Sequence, residues 1–257
     1  MIGSVDPKTL TVFVTGATAG FGAACARRFA GAGAKVVMTG RRAERLQALA
    51  DELGERAHPL QLDVQDRAAV EAAVAGLPAG FAGINLLINN AGLALGLDPA
   101  QEADLSDWET MVDTNIKGLL YCTRAILPGM VARDEGHVIN LSSVAGSYPY
   151  PGGNVYGATK AFVTQFSLNL RADLLGKQVR VTSIEPGLSK TEFSEVRFKG
   201  DTKRAQANYE GIQTMSSEDI AECIFFAATL PRHVNINRLE MMPVIQSFQP
   251  LAVHRGG

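Results

Sequence analysis

The sequence lacks the features that direct a protein to a membrane or to nucleic acid. Its longest uninterrupted apolar runs, such as residues 223–228, are far too short to span a bilayer. The N-terminal residues lack the basic-then-apolar order of a signal peptide. The formal net charge of −2 gives no general electrostatic reason to bind nucleic acid or a membrane surface. We therefore expect a cytoplasmic protein that binds neither.

Cysteine and histidine are scarce and scattered. Cys25, Cys122 and Cys223 are widely spaced and form no Cys-x-x-Cys pair, so we expect reduced, buried thiols, as in cytoplasmic proteins. The four histidines lie at positions 58, 137, 233 and 254, and none is near a cysteine at ligand spacing. The sequence therefore predicts no metal site.

Composition and patterning predict one large domain. The 257 residues are 46% hydrophobic and 19% charged, with no composition shift, solenoid repeat or low-complexity tract. Short β-branched or apolar segments alternate with helical patterns along the chain. The predicted strands are residues 9–15, 35–39, 58–62, 84–88, 137–141, 179–184 and 239–242. The predicted helices are residues 20–30, 43–53, 67–75, 106–131, 155–175 and 217–230.

This alternation, with strands apolar on both faces, predicts a parallel sheet covered by helices on both sides. We expect an α/β fold: a single-domain, doubly wound Rossmann fold over residues 1–257 with a mostly parallel seven-stranded sheet. Ser106, with Glu109 at capping-box spacing, is expected to begin the fourth helix, and Ser217 to cap the last one.

The predicted helix 155–175 is apolar on more than one face. One stripe consists of Val163, Phe166, Leu170 and Leu174, while Phe162, Leu168 and Leu175 lie elsewhere on the helix. A helix that is apolar all round is buried all round. A subunit interface explains this pattern, and burial under the C-terminal tail is the alternative. We expect a homo-oligomer, a tetramer rather than a dimer.

Ligands of open parallel sheets bind at the carboxyl ends of the strands. The first predicted strand is followed by the glycine-rich turn Gly16-Ala17-Thr18-Ala19-Gly20-Phe21-Gly22, which opens a helix. Such a turn allows close backbone approach, and free N–H groups at the helix start can hold a pyrophosphate. The spacing is Gly-x-x-x-Gly-x-Gly, not Gly-x-Gly-x-x-Gly. A simple turn is the alternative, but the position favours a dinucleotide site.

The second predicted strand ends at Gly40-Arg41-Arg42, where an NAD site would carry an acid for the ribose hydroxyls. Two arginines instead offer bidentate donors to a 2′-phosphate, which favours NADP(H) as the cofactor. The alternative is that the two arginines are a solvated basic pair, and we favour the phosphate site. Asp63-Val64 follows the third strand. Asp63 can accept from an adenine amino group, or it can be an ordinary acid at a helix start.

Polar residues also follow the later strands. Asn89-Asn90-Ala91-Gly92 can tie loops together or touch a ribose. Ser142-Ser143 follows the fifth strand, and the sixth is followed by the rigid turn Pro186-Gly187-Leu188-Ser189-Lys190-Thr191, suited to wall a flat ring. Asn115 lies inside a predicted helix, where asparagine is disfavoured. It has either a role other than packing or a side chain bonded to a neighbour.

Tyr156 is the one tyrosine of five with a lysine four residues later, Lys160. On a helix this spacing puts both side chains on one face. A free tyrosine has a pKa of about 10, and a nearby ammonium lowers it. The pair is thereby suited to move a proton to or from an alcohol oxygen near pH 7. The alternative is two surface residues of a helix.

Together, in this order and at this spacing, these motifs resemble the short-chain dehydrogenase/reductase family over nearly the whole chain. The sequence is more closely similar to the family's branch of NADP-dependent 3-hydroxy acid dehydrogenases. That similarity rests on residues 16–22, 40–42, 154–160, 197–201 and 239–243. It implies an oxidoreductase acting on CH–OH groups, which exchanges a hydride between NADP(H) and small 3-hydroxy acids. The substrates it implies are serine, allo-threonine, 3-hydroxyisobutyrate, 3-hydroxypropionate and malonic semialdehyde.

The resemblance also implies roles for the site residues. Tyr156 would be the acid/base, Lys160 would lower its pKa and hold the nicotinamide ribose, and Ser143 would hydrogen-bond the substrate oxygen. Asn115 would anchor a water that links Lys160 to solvent. The implied cofactor contacts are Gly16, Thr18, Ala19, Gly20, Phe21, Gly22, Arg41, Arg42, Asp63, Val64, Asn90, Ala91, Gly92, Tyr156, Lys160, Pro186, Gly187, Leu188 and Thr191.

A 3-hydroxy acid also needs a cation for its carboxylate. Arg197, Lys199, Lys203 and Arg204 cluster in a segment, about residues 188–215, that is expected to cover the substrate. We expect Arg197 or Lys199 to make this contact, and a solvated basic loop is the alternative. Two other functions remain open: a carbonyl reductase for acyl thioesters, steroids or sugars, and a dinucleotide-binding sensor without turnover.

Overall fold

The computed structural model describes residues 3–207 and 209–247, so the ends of the predicted 1–257 domain and His254 lie outside the described residues. Seven strands form one sheet in the order β3-β2-β1-β4-β5-β6-β7, and every neighbouring pair is parallel. The strands are β1 Thr11–Val14, β2 Lys35–Gly40, β3 Ala57–Gln61, β4 Leu86–Asn89, β5 Gly136–Leu141, β6 Val179–Pro186 and β7 Arg238–Met241. The predicted seven-stranded Rossmann fold is confirmed, with a sheet that is wholly parallel.

The helices cover both faces of this sheet. They are α1 Gly20–Gly31, α2 Ala43–Leu53, α3 Arg67–Ala75, α4 Leu105–Val112, α5 Leu119–Arg133, α6 Asn154–Asp173, α7 Phe193–Arg197, α8 Thr202–Ala207 and α9 Ser217–Thr229. In β1, Val12 and Val14 pack under α1, α2 and α9, whereas Phe13 packs under α3, α5 and α6. Alternate strand residues point to opposite faces. The two apolar layers that result explain why the strands are apolar throughout.

Two predicted helix starts are wrong. Asp104, not Ser106, caps α4, because its carboxylate accepts from the backbone N–H of Ser106 at 2.9 Å. Ser216, not Ser217, caps α9, in a capping box with Asp219. In both cases the residue just before the helix has an extended backbone, and its side chain caps at least as well as the predicted one.

The predicted helix 106–131 is not one continuous α-helix. A π-helical turn, Asp113–Gly118, separates α4 from α5 and contains Asn115. Such turns are rare and occur frequently at functional sites. The segment 188–215, for which no helix was predicted, contains the short helices α7 and α8.

The outer face of α6 carries the residues expected at a subunit interface. Val163, Leu170 and Leu174 are buried, and Phe166 of the same stripe packs against the apolar layer that contains Leu170 and Leu174. Phe162 and Phe166 are half-buried and stack with their ring centroids 5.9 Å apart, while Leu175 is 83% exposed. Packing within the subunit explains the stripe of Val163, Phe166, Leu170 and Leu174. For Phe162, Leu168 and Leu175, the subunit interface stays a prediction.

The described residues contain neither a candidate membrane span nor a candidate metal cluster. No helix between residues 3 and 247, Asn208 aside, is long and apolar enough to cross a membrane. In the same part of the chain, no three histidine, cysteine, aspartate or glutamate side chains meet in a group suited to a metal ion.

Candidate active site

A cleft of about 800 Å³ lies at the carboxyl ends of the strands and is covered by α7. Most of the predicted site residues line it: Gly16, Thr18, Ala19, Gly20, Phe21, Arg41, Arg42, Asp63, Val64, Asn90, Ala91, Gly92, Ser143, Tyr156, Lys160, Pro186, Gly187, Leu188, Thr191 and Arg197. Gly22, Asn115 and Lys199 are the predicted site residues that do not line it. The carboxyl ends of the parallel strands therefore bring together residues that are distant in sequence.

The glycine-rich turn has the shape of a phosphate cradle. Gly16 and Gly20 have φ angles of 68° and 52°, a region that favours glycine. A Cβ on Gly22 would lie 2.4 Å from the carbonyl oxygen of Gly16, so this glycine is required for packing. Ala19 at the start of α1 makes no side-chain capping bond, which leaves first-turn N–H groups for an anion. These features fit the pyrophosphate of a dinucleotide.

The two asparagines after β4 hold the floor of the cleft together. Asn90 donates from its amide to the carbonyl oxygens of Thr15 and Gly16, at 2.8 and 3.2 Å. Asn89 is buried and donates to Asn140 on β5 at 2.8 Å. Asn89 therefore has a structural role, while Asn90 shapes the turn and also lines the cleft.

The end of the cleft beyond β2 is rich in arginine. Arg42 donates to the hydroxyl of Thr18 through Nε and Nη2, at 3.0 and 2.7 Å. Its Nη1 and the Nη1 of Arg45 also bind the Glu192 carboxylate, at 2.9 and 2.7 Å. Arg41 is exposed at the rim. Partial burial would raise the pKa of Glu192, but hydrogen bonds from the two arginines lower it. Neither Arg45 nor Glu192 belongs to a recognisable sequence motif, and 147 positions separate them.

Lys160 is buried at the opposite end of the cleft. Its Nζ donates to the carbonyl oxygen of Leu141 at 2.7 Å, and its own carbonyl accepts from Ser142 at 2.7 Å. These bonds hold α6 against the end of β5. A Cβ on Gly92 would lie 3.4 Å from the Lys160 ammonium, so glycine leaves room for it. Burial lowers the pKa of Lys160 to about 8.

Tyr156 is buried one helical turn before Lys160, and burial raises its pKa to about 12. The largest opposing effect is the positive charge of Arg197, followed by a hydrogen bond with Ser143. The Lys160 ammonium lies 5.8 Å from the Tyr156 ring centroid. In this structure the cation that most favours the phenolate is therefore Arg197, whereas the resemblance implied Lys160.

Arg197 extends from the end of α7 into the cleft. Its Nη2 donates to the hydroxyl of Tyr150 at 2.8 Å, and its guanidinium carbon lies 5.0 and 5.1 Å from the ring centroids of Tyr156 and Phe193. Among the described residues its buried Nε finds no acceptor. A cation held by three aromatic rings, with a buried donor unused, is suited to bind an anion in the cleft.

Lys199 lies outside the cleft, on the surface. Its Nζ pairs with the carboxylate of Asp107 at 2.9 Å, and this hydrogen bond raises the pKa of Lys199. Of the two residues predicted to bind the substrate carboxylate, the structure brings Arg197 to Tyr156 and directs Lys199 to α4.

The side chain of Asn115 is fully engaged. Its Oδ1 accepts from the N–H of Leu93 at 2.9 Å, and its Nδ2 donates to the carbonyl of Leu93 and to Thr159, at 2.8 and 3.0 Å. It thereby fixes the loop after β4 against α6. The role of Asn115 in anchoring a water stays a prediction.

A phosphate cradle at β1 with Ser143, Tyr156 and Lys160 at the opposite end defines an oxidoreductase acting on CH–OH groups. The short chain dehydrogenase family matches residues 10–202, and the chain belongs to that family. The resemblance predicted from the motifs is confirmed.

Particular relatives are similar along the whole chain. The NADP-dependent 3-hydroxy acid dehydrogenase of Salmonella typhi is 64% identical over 247 residues, covering 96% of this chain and 100% of the relative. The serine 3-dehydrogenase of Agrobacterium fabrum is 56% identical over 245 residues, covering 95% and 98%. Among solved structures, the closed form of serine dehydrogenase complexed with NADP+ is 61% identical, with a TM-score of 0.95 over 95% of this chain and 99% of that chain.

Proposed function

We propose that this protein is an NADP-dependent dehydrogenase that transfers a hydride between NADP(H) and small 3-hydroxy acids. The substrates are serine, allo-threonine, 3-hydroxyisobutyrate and 3-hydroxypropionate, with malonic semialdehyde in the reducing direction. One observation carries the choice of an acid: the Arg197 guanidinium lies 5.0 Å from the ring of the catalytic tyrosine, Tyr156. The relatives named for 3-hydroxy acids and serine support the same choice.

The cofactor site is extended. The first turn of α1 would hold the pyrophosphate, and Arg41 and Arg42 the 2′-phosphate. Asp63 and Val64 would flank the adenine, with Asn90, Ala91 and Gly92 along the ribose. The remaining predicted contacts, Pro186, Gly187, Leu188 and Thr191, would wall the nicotinamide beside Lys160. The bound nicotinamide supplies the acceptor or donor of the hydride.

Tyr156 donates and accepts the proton in the proposed reaction. With a pKa of about 12 it is a neutral phenol at pH 7, able to donate a proton to the alkoxide formed when a carbonyl is reduced. In the oxidising direction, Arg197 and Ser143 both favour the phenolate that accepts the alcohol proton. Ser143 also holds the substrate oxygen where negative charge develops.

The substrate carboxylate would bind Arg197. A planar guanidinium binds carboxylates through paired N–H donors, and the Nε of Arg197 is buried without an acceptor among the described residues. Because Arg197 and Tyr156 are in contact, a substrate that reaches both must carry its acid close to its hydroxyl group. The short separation in a 3-hydroxy acid meets this requirement.

The test is NADP-linked turnover on a panel of 3-hydroxy acids, their methyl esters and a non-acid alcohol, with NAD as the cofactor control. We expect turnover of the acids with NADP and much weaker turnover of the esters. Equal turnover of acids and esters would contradict the proposed substrate class, and preference for an acyl thioester, steroid or sugar would indicate the alternative carbonyl reductase. Cofactor binding without any turnover would indicate a sensor.

The same proposal includes a cytoplasmic homotetramer built from single-domain subunits, with the segment 188–215 as the substrate cover. The exposed Leu175, just beyond the end of α6, and the half-buried Phe162 on α6 support an interface there. The free thiols of the buried Cys25 and Cys122 fit a reducing compartment. Light scattering after size exclusion checks the assembly, and Leu175→Glu should shift it towards smaller species.

A further inference from the structure

The segment Glu192 to Lys199 crosses the mouth of the cleft as a strap. Its helix, α7, has five residues, too few to be stable by itself in water. The position of the strap must therefore come from the contacts at its ends. Because Arg197 lies on this strap, those contacts also decide where the guanidinium stands relative to Tyr156.

The C-terminal end of the strap is attached to the loop after β4 and to α4. The N–H of Gly96 donates to the carbonyl oxygen of Arg197 at 2.9 Å. The Lys199 ammonium pairs with Asp107 at 2.9 Å. These two contacts hold the strap beside the substrate end of the cleft.

The N-terminal end is attached to the cofactor end of the cleft. The Glu192 carboxylate binds Arg42 through one oxygen and Arg45 through the other, at 2.9 and 2.7 Å. Arg42 at the same time donates twice to Thr18 in the glycine-rich turn. Glu192 therefore ties the strap to the arginine that faces the predicted 2′-phosphate position.

Between these attachments the strap packs on the catalytic tyrosine. The ring of Phe193, next to Glu192, lies 5.4 Å from the ring of Tyr156. The guanidinium of Arg197, at the other end of α7, contacts both rings. A shift of the first turn of α7 would thus move Phe193 and Arg197 together.

We propose that Glu192 is a positioning residue: its bonds to Arg42 and Arg45 hold the strap so that Arg197 meets the substrate carboxylate beside Tyr156. This inference rests on the proposed function, because it needs Arg197 as the carboxylate ligand. It adds that acid recognition depends on a residue at the cofactor end of the cleft, which touches neither the substrate carboxylate nor the reacting atoms.

The test compares Glu192→Gln with Glu195→Gln. Glu195 lies on α7, three residues after Glu192, is exposed, and within the described part of the chain has no side-chain partner. Its replacement by glutamine therefore removes the same charge without breaking a contact. Glu192→Gln should raise KM for serine about three- to tenfold, the effect of one or two partly exposed ion pairs. The kcat/KM of the methyl ester should fall less, so the ratio of acid to ester should drop. Glu195→Gln should leave this ratio unchanged.

Two further measurements separate positioning from a loss of folding. The dissociation constant of NADPH should not rise in Glu192→Gln, because the arginines lose a competing carboxylate. Acrylamide quenching of Trp108 fluorescence should increase, since this single tryptophan and Phe193 pack against the same apolar cluster. In the double-mutant cycle with Arg45→Gln, a residue outside the cleft, the combined variant should resemble Glu192→Gln alone.

Tighter NADPH binding with an unchanged acid-to-ester ratio would overturn the inference. Glu192 would then only compete with the 2′-phosphate for the arginine side chains. Arg197→Met separates the two proposals. If this variant loses the preference for acids and Glu192→Gln keeps it, the positioning role fails and the proposed function stands. If Arg197→Met keeps the preference, the carboxylate contact itself is wrong.

Discussion

The guanidinium carbon of Arg197 lies 5.0 Å from the ring centroid of Tyr156, closer than the Lys160 ammonium at 5.8 Å. Arg197 is also the cation that most opposes the effect of burial on the pKa of Tyr156. One residue therefore faces both the proposed substrate anion and the proton-transfer group.

Replacing Tyr156 by phenylalanine should remove proton transfer and little else. General acid–base catalysis contributes roughly 10²–10⁴-fold, so kcat should fall by at least that factor. NADPH binding, measured by titration of its fluorescence, should be retained because the ring remains. Tyr121→Phe on α5, outside the cleft, is the matched control. Undiminished turnover in Tyr156→Phe would contradict the catalytic assignment.

Replacing Arg197 by methionine should weaken binding of the acid and spare its ester. Hydrogen bonds to charged groups contribute about 1.5–3 kcal/mol, which corresponds to roughly a 10- to 150-fold rise in KM for serine. Lys203→Met is the control, since Lys203 is exposed on α8 and does not line the cleft. Steady-state kinetics on serine and serine methyl ester measure both. Equal losses on the two substrates would show that Arg197 does not bind the carboxylate.

Replacing Arg41 and Arg42 by alanine should reduce the preference for NADPH over NADH. Charge-assisted bonds of about 1.5–3 kcal/mol each set the upper limit of the change. Arg67→Ala, which removes a surface ion pair with Glu71 on α3, is the control. The ratio of kcat/KM values for the two cofactors is the measurement. A constant ratio would mean that the arginines are surface charges without a role in cofactor choice.

Lys160 should make folding stability depend on pH. Its pKa is lowered by burial from 10.5 to about 8, so between pH 8 and 10.5 the unfolded chain holds a proton that the folded chain has released. Stability must then rise with pH through this window and be level below it, by about 1–3 kcal/mol. Tyr156 acts in the opposite direction above pH 10, since its pKa is raised to about 12.

Urea unfolding at pH 7.5, 8.5 and 9.5 measures this dependence. Lys160→Met should be more stable than the parent at pH 7.5 and should lose the rise. Lys177→Met, at an exposed position after α6, should keep it. The same rise in both variants would mean that Lys160 is not its source.

Several parts of the structure follow from local sequence alone. Gly16 and Gly20 have positive φ angles that favour glycine, and a close backbone contact at Gly22 leaves no room for a side chain. Tyr156 and Lys160 share a helix face because four residues make about one turn. Helix boundaries were predicted less well: Asp104 and Ser216 compete with their neighbours as caps, and spacing does not decide between such candidates.

The choice between Arg197 and Lys199 depends on tertiary contacts. Both belong to one basic stretch, but α7 turns Arg197 towards Tyr150 and Tyr156, while the left-handed backbone at Lys199 directs that side chain to Asp107. Arg45 and Glu192 meet across 147 positions of sequence, so no local pattern indicates their ion pair.

The sequence by itself determined the parallel sheet, the glycine-rich turn after β1 and the shared helix of Tyr156 and Lys160, because each depends on short-range spacing or on the regular alternation of strands and helices. Only the tertiary structure decided which cation faces Tyr156 and what holds that cation in place. Those properties depend on burial and on contacts between distant segments, and the electrostatic effect of a charge is set by distance and solvent exposure rather than by sequence position.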